Sequence, residues 1–170
     1  SYISIKNPDG SNLHAPMDVA TDGGGTNSVV LPVTGTFTIL LDPKTSSVGS
    51  ASLTLSEDLS VPITVNGPQV TLNLSRAGQN ARLTFDGTAG QRVSAGMSSV
   101  SVGTSSCCGS KVSVYNPDGS TLMGAMDVGT SGNGTNTLTL PTTGSYVIFI
   151  DPNGANTGNM TVTLSEELVA

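Results

Sequence analysis

The chain has 170 residues, room for one ordinary domain or two small ones. Hydrophobic residues make up 36 % and charged residues only 11 %, against about 25 % in a typical soluble protein, so 23 Ser and 22 Thr supply most of the polarity. A net charge of −6 with six Lys and Arg leaves no basic patch for nucleic acid or an anionic membrane.

In chain order, Ile3-Ser-Ile5 alternates apolar and polar residues and stops at the turn Asn7-Pro-Asp-Gly10. There Pro presets φ and Gly accepts the positive φ that follows. The Gly-rich stretch Asp22–Asn27 reads as a strand connection, because neither a Gly-Lys-Ser/Thr nor a helix follows to make a phosphate cradle. Phe37–Leu41 reads as a buried strand. After the turn Asn66-Gly-Pro68, strands are predicted over Val70–Leu74 and Ala81–Phe85, the latter closed by Asp86-Gly87. The adjacent Cys107 and Cys108 come next, then a strand over Lys111–Tyr115 and a second Asn116-Pro-Asp-Gly119 turn. A second Gly-rich connection, Ser131–Asn136, leads into a strand over Asn136–Leu140. The unbroken apolar run Tyr146–Ile150 predicts a central strand buried on both faces, and Met160–Leu164 a last alternating one. No helical period appears. No apolar run comes near the roughly 18 residues of a spanning helix, so no membrane insertion is expected.

Self-comparison adds the organisation. Residues 3–59 match residues 112–168 at a constant offset of 109 with no gap, and 28 of those 57 positions are identical. On this phase residues 60–170 hold one complete repeat, while residues 1–59 are the C-terminal part of a preceding one. The expected fold is all-β: antiparallel, jelly-roll-like β-sandwich modules in tandem.

The stretch Ala77–Val93, the Asn-Pro-Asp-Gly-Ser segments, Leu140-Pro-Thr-Thr-Gly-Ser-Tyr-Val147 and the Asp151-Pro152 to Leu164-Ser165 ending resemble the bacterial pre-peptidase C-terminal domain family. That resemblance implies a non-catalytic extracellular β-sandwich, repeated in large secreted or surface proteins. It does not imply one ligand.

Few residues carry chemistry. Asp9 and Asp118 in the turns, with Asp18 and Asp127 nine residues on, are candidate oxygen ligands for calcium. The alternative is that each turn Asp bonds its own backbone, and no Asp-X-Asp-X-Asp-Gly loop is present. No other cofactor is implied. Cys107 and Cys108 are a disulfide candidate, open to a ring with each other, bridges to another chain or free thiols. His14 is the single histidine, its repeat counterpart is Met123, and no partner for acid–base or metal chemistry accompanies it. The sequons at Asn73, Asn133 and Asn159 are what chance gives in so Ser- and Thr-rich a chain.

The expected role is therefore a structural or adhesive extracellular module in a cell-surface stalk or fibre, with no enzymatic activity. Its expected partners are neighbouring repeats or identical subunits. A carbohydrate-binding accessory module is the alternative, weakened by the absence of Trp. Residues 1–59 lack the front half that residues 60–110 give residues 111–168, so their apolar face needs cover. The expected contact residues are Tyr2, Ile3, Ile5, Leu53 and Leu55, on strands over Tyr2–Lys6 or Ser50–Leu55.

Overall fold

The computed structural model describes residues 1–20, 24–26 and 28–167. They are all-β, with no helix, so none is long and apolar enough to cross a membrane. The chain divides into two compact units, Ser1–Thr54 and Leu55–Ala170. The first holds β1 (Tyr2–Lys6), β2 (Asn12–Asp18) and β3 (Thr38–Asp42). The second holds β4 (Leu59–Pro62), β5 (Val70–Leu74), β6 (Ala81–Gly87), β7 (Arg92–Ser98) and β8 (Ser110–Tyr115). It continues with β9 (Thr121–Val128), β10 (Asn133–Gly134), β11 (Leu138–Thr139), β12 (Gly144–Pro152) and β13 (Gly158–Glu166).

In the second unit one sheet runs β4-β6-β12-β8-β9 and the other β10-β7-β13-β5, with β11 also on β7. Every pair is antiparallel except β4 with β6. Alternation does what period two requires: Ala81, Leu83 and Phe85 of β6 and Tyr146, Ile148 and Ile150 of β12 turn inward. They share one core with Leu72, Val93 and Met160 of the other sheet, the arrangement of a β-sandwich. Residues 55–58 lie along the second unit: Arg76 Nη2 donates to Leu55 O, Ser56 Oγ to Ala77 O and Gln79 Nε2 to Glu57 O.

The first unit is a three-stranded sheet, β2-β1-β3. Its ladder is that of β9-β8-β12 shifted by 109. Tyr2 faces Asp18 and Ile3 faces Met17, as Lys111 faces Asp127 and Val112 faces Met126. Leu41 faces Ile3 as Ile150 faces Val112. The irregularities after Ile3 and after Val112 also coincide. Both turns close alike, with Gly10 at φ 85° and Gly119 at φ 82°. Pro8 and Pro117 lean on Gly35 and Gly144, where a Cβ would come within 2.7 Å of the ring.

Three expectations need correction; before β4 the strands among the described residues are β1, β2 and β3. Ser50–Leu55 is not a strand, because β13, its counterpart, is held between β5 and β7, whereas among the described residues no strand pairs with the earlier copy. The predicted strand over Asn136–Leu140 shrinks to Leu138–Thr139, since the Thr135 hydroxyl takes the Ala95 amide. The run Tyr146–Ile150 is buried on one face only; Val147 and Phe149 look outward, half-buried. Asp22, Gly23 and Asn27 of the first Gly-rich connection lie outside the described residues.

Candidate functional site

The distinctive surface is the uncovered apolar face of the first unit. Leu41 is 44 % exposed and Leu53 61 %, whereas their counterparts Ile150 and Val162 are both 0 % exposed. Ile3, Ile5 and Ile39 are half-buried, while Val112, Val114 and Ile148 are sealed in the core. Full burial of one such side chain is worth roughly 1.5–3 kcal/mol, so leaving this face open forgoes several times that. The outer edge of β3 is also unpaired among the described residues; the same edge of β12 carries β6.

Beside that edge lies a hollow of about 470 Å³ lined by Leu31, Pro32, Val33, Thr34, Gly35 and Phe37. In the second unit the matching segment is occupied. Leu140 and Tyr146 close on the backbone of Gly87, where an added Cβ would meet Leu140 Cδ1 at 2.3 Å. The Phe85 ring stacks on Tyr146 at 5.3 Å, and Leu140 N and O bond Gln91 O and Gly90 N. Leu31 is 58 % exposed where Leu140 is 0 %. The hollow escapes a reading of hydropathy alone, but the 109-residue offset marks it by aligning Leu31 and Phe37 with Leu140 and Tyr146.

Ile3 and Ile5 sit on β1, Leu53 near the end of the first unit, and Leu55, also exposed, in the second. Tyr2 lies under Lys44, whose Nζ is 4.7 Å from the ring centroid and pairs with Asp18. That pairing holds Asp18 below the ordinary carboxylate range and Lys44 above the ordinary amine value.

The four candidate calcium ligands are not brought together. Asp9 Oδ1 accepts the Ser11 hydroxyl at 2.6 Å and the Ser11 amide at 2.9 Å, and Asp118 does the same with Ser120. Those bonds, the hydroxyl first, hold both carboxyls below their ordinary value. Asp127 is ion-paired with Lys111 at 2.8 Å. Among the described residues no three His, Cys, Asp or Glu side chains cluster as a metal site.

Cys107 and Cys108 are disulfide-bonded to each other. Their loop joins β7 to β8 and so crosses between the sheets. Asn153 Nδ2 donates to Cys108 O at 2.7 Å and Asn156 Nδ2 to Gly109 O at 2.9 Å. Gly129 backs the loop so closely that a Cβ would lie 2.4 Å from Ser106 C.

His14 Nδ1 is spent on Ala15 O at 2.8 Å. A shallow depression of about 500 Å³ near Ile63, Thr84 and Gln91 holds one titratable side chain, Asp86. On the outer face of the second unit, Tyr115 and Phe149 have centroids 6.3 Å apart, and the Arg82 guanidinium lies 4.5 Å over Phe149.

No protein-family profile and no curated protein matches the chain. Solved structures do. The pre-peptidase C-terminal domain of a Bacillus anthracis collagenase is 7 % identical over 66 % of this chain and 99 % of that one, with a TM-score of 0.46. PliG of Aeromonas hydrophila, a periplasmic inhibitor of g-type lysozyme, is 16 % identical over 65 % of this chain and 100 % of that one, at 0.42. Salmonella Typhimurium PliG is 13 % identical over 64 % and 99 %, at 0.44. Likeness this loose carries neither an activity nor a partner across to this chain.

Proposed function

We propose that this chain is a non-catalytic building module of an extracellular or cell-surface protein, one of a tandem series, which joins neighbouring repeats or identical subunits into a stalk or fibre. The observation that carries this reading is the exposure of large apolar side chains in Ser1–Thr54, Leu41 and Leu53 among them, where their counterparts Ile150 and Val162 are buried. Exposed apolar surface that a repeat elsewhere seals is what an interaction face leaves open.

Sedimentation of the chain at micromolar concentration tests it. Association that Leu41→Asp abolishes is the expected result. A stable monomer whose residues 1–54 resist hydrogen exchange would overturn it.

A second reading, glycan binding, has one observation in its favour: the Tyr115–Phe149–Arg82 platform on the outer face of the second unit. Titration against a glycan panel separates the two. Binding to one polymer that Phe149→Ala removes would favour the accessory-module role.

A further inference from the structure

The chain itself contains a picture of what covers the open face. In the second unit the ladder β9-β8-β12 is closed by residues 60–109, and the first unit repeats that ladder without them. We infer that the face of residues 1–54 is a receptor for a strand-bearing segment of the Ser60–Gly109 type. Its occupant is a copy of that segment that is not already closed by a copy of residues 111–166. This rests on the assembly reading above and specifies the partner.

The register follows from the second unit. There Ile150, Ile148 and Tyr146 stand opposite Ala81, Leu83 and Phe85. At the same offset the incoming strand lies antiparallel to β3, with its Ala81, Leu83 and Phe85 positions opposite Leu41, Ile39 and Phe37. Backbone pairing along an open edge supplies affinity, and the alternate side chains supply specificity. A one-residue slip would turn every apolar side chain to the wrong face, so this register is enforced.

The hollow beside Phe37 adds a chemical requirement. Its counterpart admits the Phe85 ring and then a backbone with no Cβ, because Leu140 and Tyr146 press on Gly87. The occupant therefore carries an aromatic residue two positions before a glycine. Its β5- and β7-like strands would flank residues 49–54 and draw them into a strand, as β5 and β7 hold Gly158–Thr163. Residues beyond 54 are excluded, being already bonded to Arg76, Ala77 and Gln79.

The full chain, mixed with a separately made Ser60–Gly109 polypeptide, tests this. The expected result is a one-to-one complex that disperses self-association and protects amides 38–42 and 49–54 from exchange. Gly87→Leu in the added polypeptide should weaken binding at least about tenfold, because a bulky side chain cannot enter the hollow, whereas unspecific sticking would not fall. As a second arrangement that does not depend on the free segment's solubility, residues 60–109 are joined ahead of Ser1, reproducing the Gly109–Ser110 junction. Amides 38–42 and 49–54 should then become as protected as amides 147–151 and 158–163. If they exchange as fast as in the original chain, the inference is overturned. A chain that self-associates but neither binds nor is dispersed by the segment overturns this inference alone. A protected monomer overturns the assembly reading with it.

Discussion

Leu41 and Ile150 hold the same place in the same ladder, opposite Ile3 and Val112 respectively, and differ in what lies over them. Ile150 is sealed; Leu41 is not. Truncating Ile150 to Ala should therefore cost about 2–5 kcal/mol, because it leaves a cavity in packed surroundings. Leu41→Ala should cost less than about 1 kcal/mol in the unassembled chain, as exposed positions do. Urea midpoints for the two variants check the contrast.

Tyr146 is buried but keeps its hydroxyl satisfied, donating to Thr142 O at 2.5 Å and accepting from Thr142 N at 3.2 Å. Its counterpart is Phe37, and Val33 stands where Thr142 does. Tyr146→Phe should cost about 1 kcal/mol through the lost bond, with no change of fold. Thermal unfolding with unchanged circular dichroism would bear this out.

Acid should act on the turns and on β12 with opposite signs. Asp118 titrates below its ordinary 3.8 because the Ser120 hydroxyl and amide bond its carboxylate. The stability this gives is present above 3.8 and is lost as pH falls through the lower folded value. Asp151 titrates above 3.8, chiefly through burial. Its protonated form favours folding, so that contribution fades as pH rises from 3.8 through the raised value. Asp118→Ala should flatten the acid loss, and Asp151→Asn should stabilise the fold at neutral pH. Unfolding midpoints measured from neutral to acid pH separate the two effects.

Reducing the Cys107–Cys108 bond should loosen its loop without unfolding the core, since Asn153 and Asn156 hold the backbone at Cys108 and Gly109 independently. Asn153→Ala should cost about 1 kcal/mol and make reduction spread further along the loop. Exchange rates at residues 103–109, before and after reductant, measure both.

Most strands were legible because period two and Pro-Asp-Gly turns are local signals, and Ala81–Phe85 or Lys111–Tyr115 needed nothing more. What failed depended on neighbours. Leu53 and Val162 sit in similar alternating sequences, yet only the second lies in a strand, because β5 and β7 bracket it. Phe149 looked like core because its run is continuously apolar; its face turns outward, where Arg82 and Tyr115 shelter it. The calcium candidates were visible as residues but not as ion pairs, since Lys44 reaches Asp18 from a distant segment.

The position of β13 between β7 and β5 also has a bearing on biosynthesis. β13 follows both of its neighbours in the sequence yet lies between them, so a nascent polypeptide emerging from the ribosome keeps a slot open between two earlier strands until Gly158–Glu166 appears. Closure is then a late, long-range event of the slow kind. During translation of a series of such modules, each slot would wait on the end of its own copy, and a downstream copy emerging too soon could fill it instead.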